Sequence, residues 1–259
     1  MLTVITRNVS PNLGDCALTY LERNPIDVEK AVEQHRNFVN TLTELGARVI
    51  NLPAEPNLPD AVFVEDTAVV VDEVAVIARM GLPERRPEAE SVASALAHLR
   101  RRKFVNRSAT LDGGDAIRID RRLYIGNSTR TSEEGIAELR RILKPYDYDV
   151  RPVKVIGCLH LSTGCSYLGH NTILANEKWV DAGAMKGFEI IHVPEAEPWA
   201  ANTLCINDTV LLPSAFPRTR ELLESRGFKI RIIDISEFQK AEGGLSCLSL
   251  IFRDKNGER

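Results

Sequence analysis

Four stretches of this sequence repeat one pattern, and that repetition limits the folds open to the chain more than any other feature. They are DTAVVVDEVAVIA (66–78), GDAIRIDRRLYIG (114–126), NTILANEKWVDAG (171–183) and NTLCINDTVLLPS (202–214). Each opens on a small polar pair or a Gly-Asp, runs apolar, breaks at a polar turn and runs apolar again. The breaks are Asp72-Glu73, Asp120-Arg121, Asn176-Glu177 and Asn207-Asp208. Two short apolar runs about a tight polar turn predict a β-hairpin. The closing GGLSCLSLIFRDKNG (243–257) starts the same way and ends polar, as a fifth copy would.

Helical patterns lie between the copies. Residues 27–46 place Val28, Ala31, Val32, His35, Val39, Leu42 and Leu45 near i, i+3/i+4 spacing, with Gly46 as a stop. Residues 88–101, 132–146 and 218–227 predict three more helices, the second of them capped by Ser132 and closed at Pro145. Short apolar strands follow at 48–53, 148–155, 189–194 and 229–235. Helix, strand and hairpin thus alternate about five times. The unequal spacing excludes a solenoid of fixed step. Copies of one mixed unit set around an axis would bury their apolar faces against neighbours and leave a central opening. No linker rich in Pro, Gly or Ser interrupts the chain, so residues 1–259 are expected to form a single α/β domain.

The totals exclude several functions. A net charge of −3 argues against a nucleic-acid or anionic-membrane binder. No apolar run approaches the ~20 residues that span a bilayer, and MLTVITRNVSPNLGDC carries no secretory-signal pattern. Five dispersed cysteines, Cys16, Cys158, Cys165, Cys205 and Cys247, suit reduced thiols in the cytoplasm rather than a disulfide framework. Neither a CxxC pair nor an HExxH motif is present, so a structural zinc or zincin site is not expected.

Polar residues that open each hairpin could converge on the axis. PDAVFVEDTAVVV (59–71) puts Asp60, Glu65 and Asp66 at the mouth of an apolar strand, which is costly unless a cation meets them. LDGGD (111–115) sets Asp112 and Asp115 around two glycines that allow close backbone approach. His160 lies between leucines in CLHLSTGCSYLGH, with His170 a weaker candidate, and Cys247 follows two glycines. A cysteine nucleophile, a histidine acid/base and more carboxylates than imidazole orientation requires imply a cationic substrate. A planar guanidinium fits best, because its donor fork pairs bidentately with carboxylates.

FVEDTAVV, LDGGD, LHLSTG, AANTLCIN and GGLSC resemble, in order, the signature segments of the dimethylarginine dimethylaminohydrolases, within the guanidine-modifying superfamily of arginine deiminases and amidinotransferases. The similarity runs from about Ile5 to Phe252. It implies a five-bladed α/β propeller of ββαβ units with pseudo-fivefold symmetry (the pentein fold). It also implies a cytoplasmic hydrolase of linear-amidine C–N bonds in arginine metabolism. Such an enzyme converts Nω-methylated arginine to citrulline and an alkylamine through an S-alkylthiouronium, without a cofactor.

Carried over by residue, the resemblance makes Cys247 the nucleophile, His160 the general acid/base and Asp112 the acid paired with it. Asp66 would bind the guanidinium, with Asp60 and Glu65 supporting that wall. Arg85 and Arg130 would bind the α-carboxylate, the Ala241 backbone the α-amino group, and Leu18 would sit in the lid. Ser162 stands where relatives often have Lys, and Cys165 is an extra thiol near His160; both put the N-alkyl preference in question. The alternatives are arginine deimination, amidino transfer, or an amino-acid-binding propeller without activity. A small molecule is the expected partner, not nucleic acid or membrane, and a homodimer is left open. Zinc taken up by Cys247 and His160 is expected to inhibit.

Overall fold

The computed structural model describes residues 1–254. Strand β1 (Leu2–Arg7), helix α1 (Val28–Glu44) and strand β2 (Arg48–Leu52) come first. Next are β3 (Ala68–Val70), β4 (Val74–Ile77), α2 (Glu88–Leu96) and β5 (Arg101–Phe104). They are followed by β6 (Ala116–Ile119), β7 (Arg122–Asn127), α3 (Glu133–Leu143) and β8 (Asp149–Lys154). A one-turn helix α4 (Leu161–Gly164) then leads into β9 (Cys165–Gly169), β10 (Thr172–Ala175) and β11 (Glu189–His192). The last elements are β12 (Leu204–Ile206), β13 (Thr209–Pro213), α5 (Pro217–Ser225), β14 (Lys229–Ile233), α6 (Ser236–Gln239) and β15 (Leu250–Arg253).

These strands form five three-stranded sheets, ordered β15-β1-β2, β3-β4-β5, β6-β7-β8, β9-β10-β11 and β12-β13-β14. In each, the first strand pairs antiparallel with the second and the second parallel with the third. A parallel partner requires a crossover. α1, α2, α3 and α5 supply it in four sheets; in the remaining sheet, β9-β10-β11, only a short 3-10 turn, Ala182–Ala184, lies between β10 and β11. The five first strands all line one cavity of about 860 Å³. The sheets therefore stand around an axis as the five blades of an α/β propeller, the fold the family resemblance implied and the repeat agrees with.

Four sequence expectations need correction. The third hairpin is formed by β9 and β10, turning at Gly169–Asn171; the predicted break at Asn176-Glu177 lies after β10, where the chain leaves the sheet. The closing segment supplies only one strand, and β1 from the other end of the chain is its antiparallel partner. Its last residues, 255–257, lie outside the described residues. In α1 the buried stripe is Ala31, His35, Phe38 and Leu42, while Val32 is exposed. Burial pulls the His35 imidazole down to about 4, so it is a neutral core residue.

The helix predicted over 88–101 stops at Leu96, because Arg101–Phe104 is an outer strand hydrogen-bonded to β4. That strand, RRKF, is exposed throughout, and charged side chains on a sheet edge discourage pairing with other chains. All five thiols are unpaired. Among the described residues no helix is long and apolar enough to cross a membrane.

Candidate active site

A short helical turn precedes the first strand of every blade, and these turns meet at one end of the axis. Val64–Thr67 carries Glu65 and Asp66, and Gly113–Asp115 follows Asp112. α4 follows His160, Pro198–Ala201 precedes Asn202, and Ser246–Leu248 contains Cys247. Between them lies a narrow cavity of about 20 Å³, lined by Asp60, Phe63, Asp66, Arg85, Arg130, His160, Ala241, Glu242 and Cys247, among others.

His160 stands between two carboxylates. Its Nε2 is 3.0 Å from Asp112 Oδ2 and its Nδ1 is 3.6 Å from Asp66 Oδ1. Burial alone would pull the imidazole down, but Asp66, Asp112 and Asp115 outweigh it and raise it to about 9. The ring is therefore an imidazolium at neutral pH. Asp112 is oriented by the Gly81 N–H, which donates to Oδ1 at 2.8 Å. Asp115 accepts the Leu161 N–H at 2.9 Å and the Ser128 hydroxyl at 2.6 Å, fixing the start of α4.

Asp66 accepts the Gly114 N–H at 3.2 Å and Arg85 Nη1 at 2.8 Å. Burial pushes its carboxyl up, yet His160 and Arg85 prevail and hold it low. The backbone approach expected of Gly113-Gly114 is present. A Cβ on Gly113 would lie 2.0 Å from Glu65 O, and one on Gly114 would lie 2.6 Å from Asp66 Oδ1 and 2.9 Å from His160 Nδ1. Arg85 also grips Glu88 through Nε and Nη2 at 3.0 and 2.9 Å. Arg130 donates Nη2 to Thr19 Oγ1, while its Nη1 is buried without a partner.

Cys247 is buried, and the Gly244 N–H donates to its sulfur at 3.4 Å. Burial first, and then the charges of Glu65 and Asp66, push its thiol well up; the Gly244 N–H and the Ser246 hydroxyl oppose that shift. The space left by the two preceding glycines serves protein side chains rather than a substrate. A Cβ on Gly243 would lie 2.4 Å from the Phe63 ring, and one on Gly244 2.2 Å from Asn202 Cγ. Asn202 clamps Ser246, accepting its N–H and donating to its Oγ, both at 3.0 Å. Glu65 Oε2 accepts the Ser246 and Ser162 hydroxyls at 2.9 and 3.1 Å.

The segment before α1 covers the cavity. The Ala17 N–H donates to the Asp60 carboxylate, at 3.1 Å to Oδ2. The N–H groups of Thr19, Tyr20 and Leu21 all converge on Glu242 Oε1. Leu18, half-buried, packs on the apolar cluster that includes Phe63, Leu245 and Cys247.

The family model described as N,N dimethylarginine dimethylhydrolase, eukaryotic, matches residues 20–250. The N(G),N(G)-dimethylarginine dimethylaminohydrolase of Pseudomonas aeruginosa is 34% identical over 251 residues, 96% of this chain and 98% of that protein. The chain belongs to the dimethylarginine dimethylaminohydrolase family. Two solved structures of that family are similar to it at 33% identity, each covering 96% of this chain. One, a histidine-to-glycine variant captured as an adduct with S-methyl-L-thiocitrulline, has a TM-score of 0.92 and is covered over 99%. The other, a cysteine-to-serine variant from Pseudomonas aeruginosa complexed with citrulline, has a TM-score of 0.90 and is covered over 98%.

Of the residues read from the sequence on this family's pattern, Asp60, Asp66, Arg85, Arg130, His160, Ala241 and Cys247 line the cavity. Asp112 stands behind His160, and Glu65 lies on the far side of Ser246, facing the rear cavity. Cys165 also faces the rear, and His170 is exposed at the β9–β10 turn, away from the site. Asn202, Ser246 and Glu242 were not singled out. Asn202 and Ser246 lie inside the quoted segments, but only the fold shows that they meet.

Proposed function

We propose that this chain hydrolyses Nω-methylated arginine to citrulline and methylamine or dimethylamine, with Cys247 as nucleophile. One observation carries the reading. Cys247, His160, Asp60 and Asp66 share a single narrow cavity, in a chain whose relative binds citrulline when a cysteine is replaced by serine.

A guanidinium carbon is a poor electrophile because resonance spreads its charge. Asp66, held by Arg85 and the Gly114 N–H, receives the guanidinium and aims its carbon at the sulfur; such positioning lowers a barrier by several kcal/mol. Burial, and then the nearby carboxylates, keep the thiol protonated; the incoming cation opposes both, so Cys247 ionises as substrate arrives. The thiolate adds to the carbon. His160 donates its proton to the departing alkylamine, leaving the S-alkylthiouronium, and the neutral imidazole then activates water. The unpartnered Nη1 of Arg130 supports an α-carboxylate contact, and the Ala241 carbonyl an α-amino contact.

The cavity has room for about one water, so substrate enters only when residues 17–21 lift from Asp60 and Glu242. The five blades acting as one catalytic domain are part of this reading. Incubation with asymmetric dimethylarginine, monomethylarginine and arginine, scored for citrulline and for each amine, tests it. Citrulline is expected from the methylated substrates in preference to arginine. Its absence from all three, or ammonia from arginine alone, would overturn the assignment.

A further inference from the structure

The site has two sides. Cys247, His160 and Asp66 line the front cavity, whereas Glu65, Ser162 and Ser246 line the rear cavity of about 860 Å³. The rear cavity reaches the exposed hairpin turns at Asp120-Arg121 and Asn207-Asp208, so it opens to solvent. Between the two sides runs a short chain of hydrogen-bonding groups. Ser246 directly precedes Cys247, and Asn202 Nδ2 reaches both the Ser246 hydroxyl, at 3.0 Å, and the Cys247 sulfur, at 3.9 Å; that hydroxyl donates to Glu65 Oε2 at 2.9 Å. Asn202 Nδ2 occupies one lone pair of that hydroxyl, at 3.0 Å, which leaves the other for a thiol proton.

The chemistry requires such an exit. His160 already holds a proton between Asp66 and Asp112, and it needs that proton for the leaving amine. It cannot also take the proton of Cys247. With substrate filling the narrow front cavity, water there is displaced. We propose that Ser246 and Glu65 form a proton outlet through the wall between the cavities, carrying the Cys247 thiol proton into the rear cavity while substrate occupies the front. The S–H bond breaks as Ser246 Oγ gains that proton and releases its own to Glu65 Oε2. The resulting carboxylic acid then gives the proton to water entering from the rear. Glu65 touches no reacting atom, and its effect passes through Ser246.

The groups facing Glu65 suit this task. Its hydroxyl partners are Ser162 and Ser246, and the charged or titratable neighbours that act on it or feel it are Asp66, His160 and Cys247. Burial, then the charge of Asp66, raise its carboxyl to about 7, so it both accepts and releases a proton near neutrality. A lysine at position 162 would instead set a cation against the carboxylate and hold it ionised.

The inference rests on Cys247 being the nucleophile, and two assays separate its failure from failure of the substrate assignment. The first follows kcat and KM against pH with asymmetric dimethylarginine. The second follows alkylation of Cys247 by a cationic haloacetamidine, which needs no turnover. In the unaltered chain both rates should rise with pH through about 7. Glu65→Gln keeps an acceptor for the two serines but cannot carry a proton. It should lower kcat about 10- to 100-fold, leave KM within about twofold, and abolish the inflection near 7 in both assays. Ser246→Ala should match it, and Ser162→Lys should move the inflection at least ~1 unit to lower pH. A Glu65→Gln chain that keeps the kcat and inflection of the unaltered one, or that raises KM alone, would overturn the outlet. Should that variant not fold, retention of full rate and inflection by Ser246→Ala would overturn it equally.

Discussion

The Nε2 atom of His160 lies 3.0 Å from Oδ2 of Asp112, and both side chains are closed to solvent. An imidazolium so placed is fixed in orientation and stays protonated at neutral pH. Asp112→Asn preserves the shape and removes the charge. We expect kcat/KM with dimethylarginine to fall about 10²- to 10³-fold. The alkaline limb of the pH–rate profile should move to lower pH, because the acid form of His160 loses a stabilising partner. Steady-state assays across pH 6–10 check both.

Stability should fall on the alkaline side. The imidazole is raised from 6.5 to about 9, burial opposing and Asp66, Asp112 and Asp115 prevailing. A folded-state value above the unfolded one gives stability that is complete below pH 6.5 and lost as pH rises through 9. The loss amounts to roughly 3 kcal/mol. Melting temperature should therefore drop by up to ~10 °C between pH 6.5 and 9, and His160→Gln should flatten that slope.

The buried, proton-bearing Cys247 should prefer cationic electrophiles. A haloacetamidine is expected to alkylate it at least ~10-fold faster than the neutral haloacetamide. Asp66→Asn should erase most of that preference. Cys247→Ser should abolish turnover and leave the circular dichroism spectrum unchanged; retention of most activity would remove the nucleophile.

Gly114→Ala tests the crowding around His160. The added methyl would sit 2.6 Å from Asp66 Oδ1 and 2.9 Å from His160 Nδ1, so one of them must move. We expect a stability loss of about 1–3 kcal/mol, read by urea unfolding, and a fall in kcat larger than that loss explains.

Glu242 gathers three cover-segment N–H groups on one oxygen. Glu242→Gln weakens each of these charge-assisted bonds. KM should rise several-fold with little change in kcat, and limited proteolysis between residues 17 and 25 should quicken.

Much of the blade pattern was legible because hairpins and crossover helices leave distinct apolar periods. β5 escaped notice because RRKF is an exposed edge, and polar residues there carry no period. β1 and β9 escaped because their partners are set by the ring: β1 pairs with a strand about 250 residues away. In the site, Cys247, His160, Asp66 and Asp112 were readable from their chemistry and their family segments. Asn202 and Ser246 were not, since an amide and a hydroxyl are ordinary residues until the propeller sets them against a buried sulfur. Nor could any spacing tell that Glu65 faces the opposite cavity from its neighbour Asp66.

The pairing of β1 with β15 bears on how activity arises in time. Cys247 sits three residues before the strand that only the start of the chain can seat. A growing or nicked polypeptide in which these distant ends have not joined leaves β15, and the turn that carries Cys247, without its strand partner, and contacts of such separation carry a closure cost. Folding and competence are thus gated by the same seam.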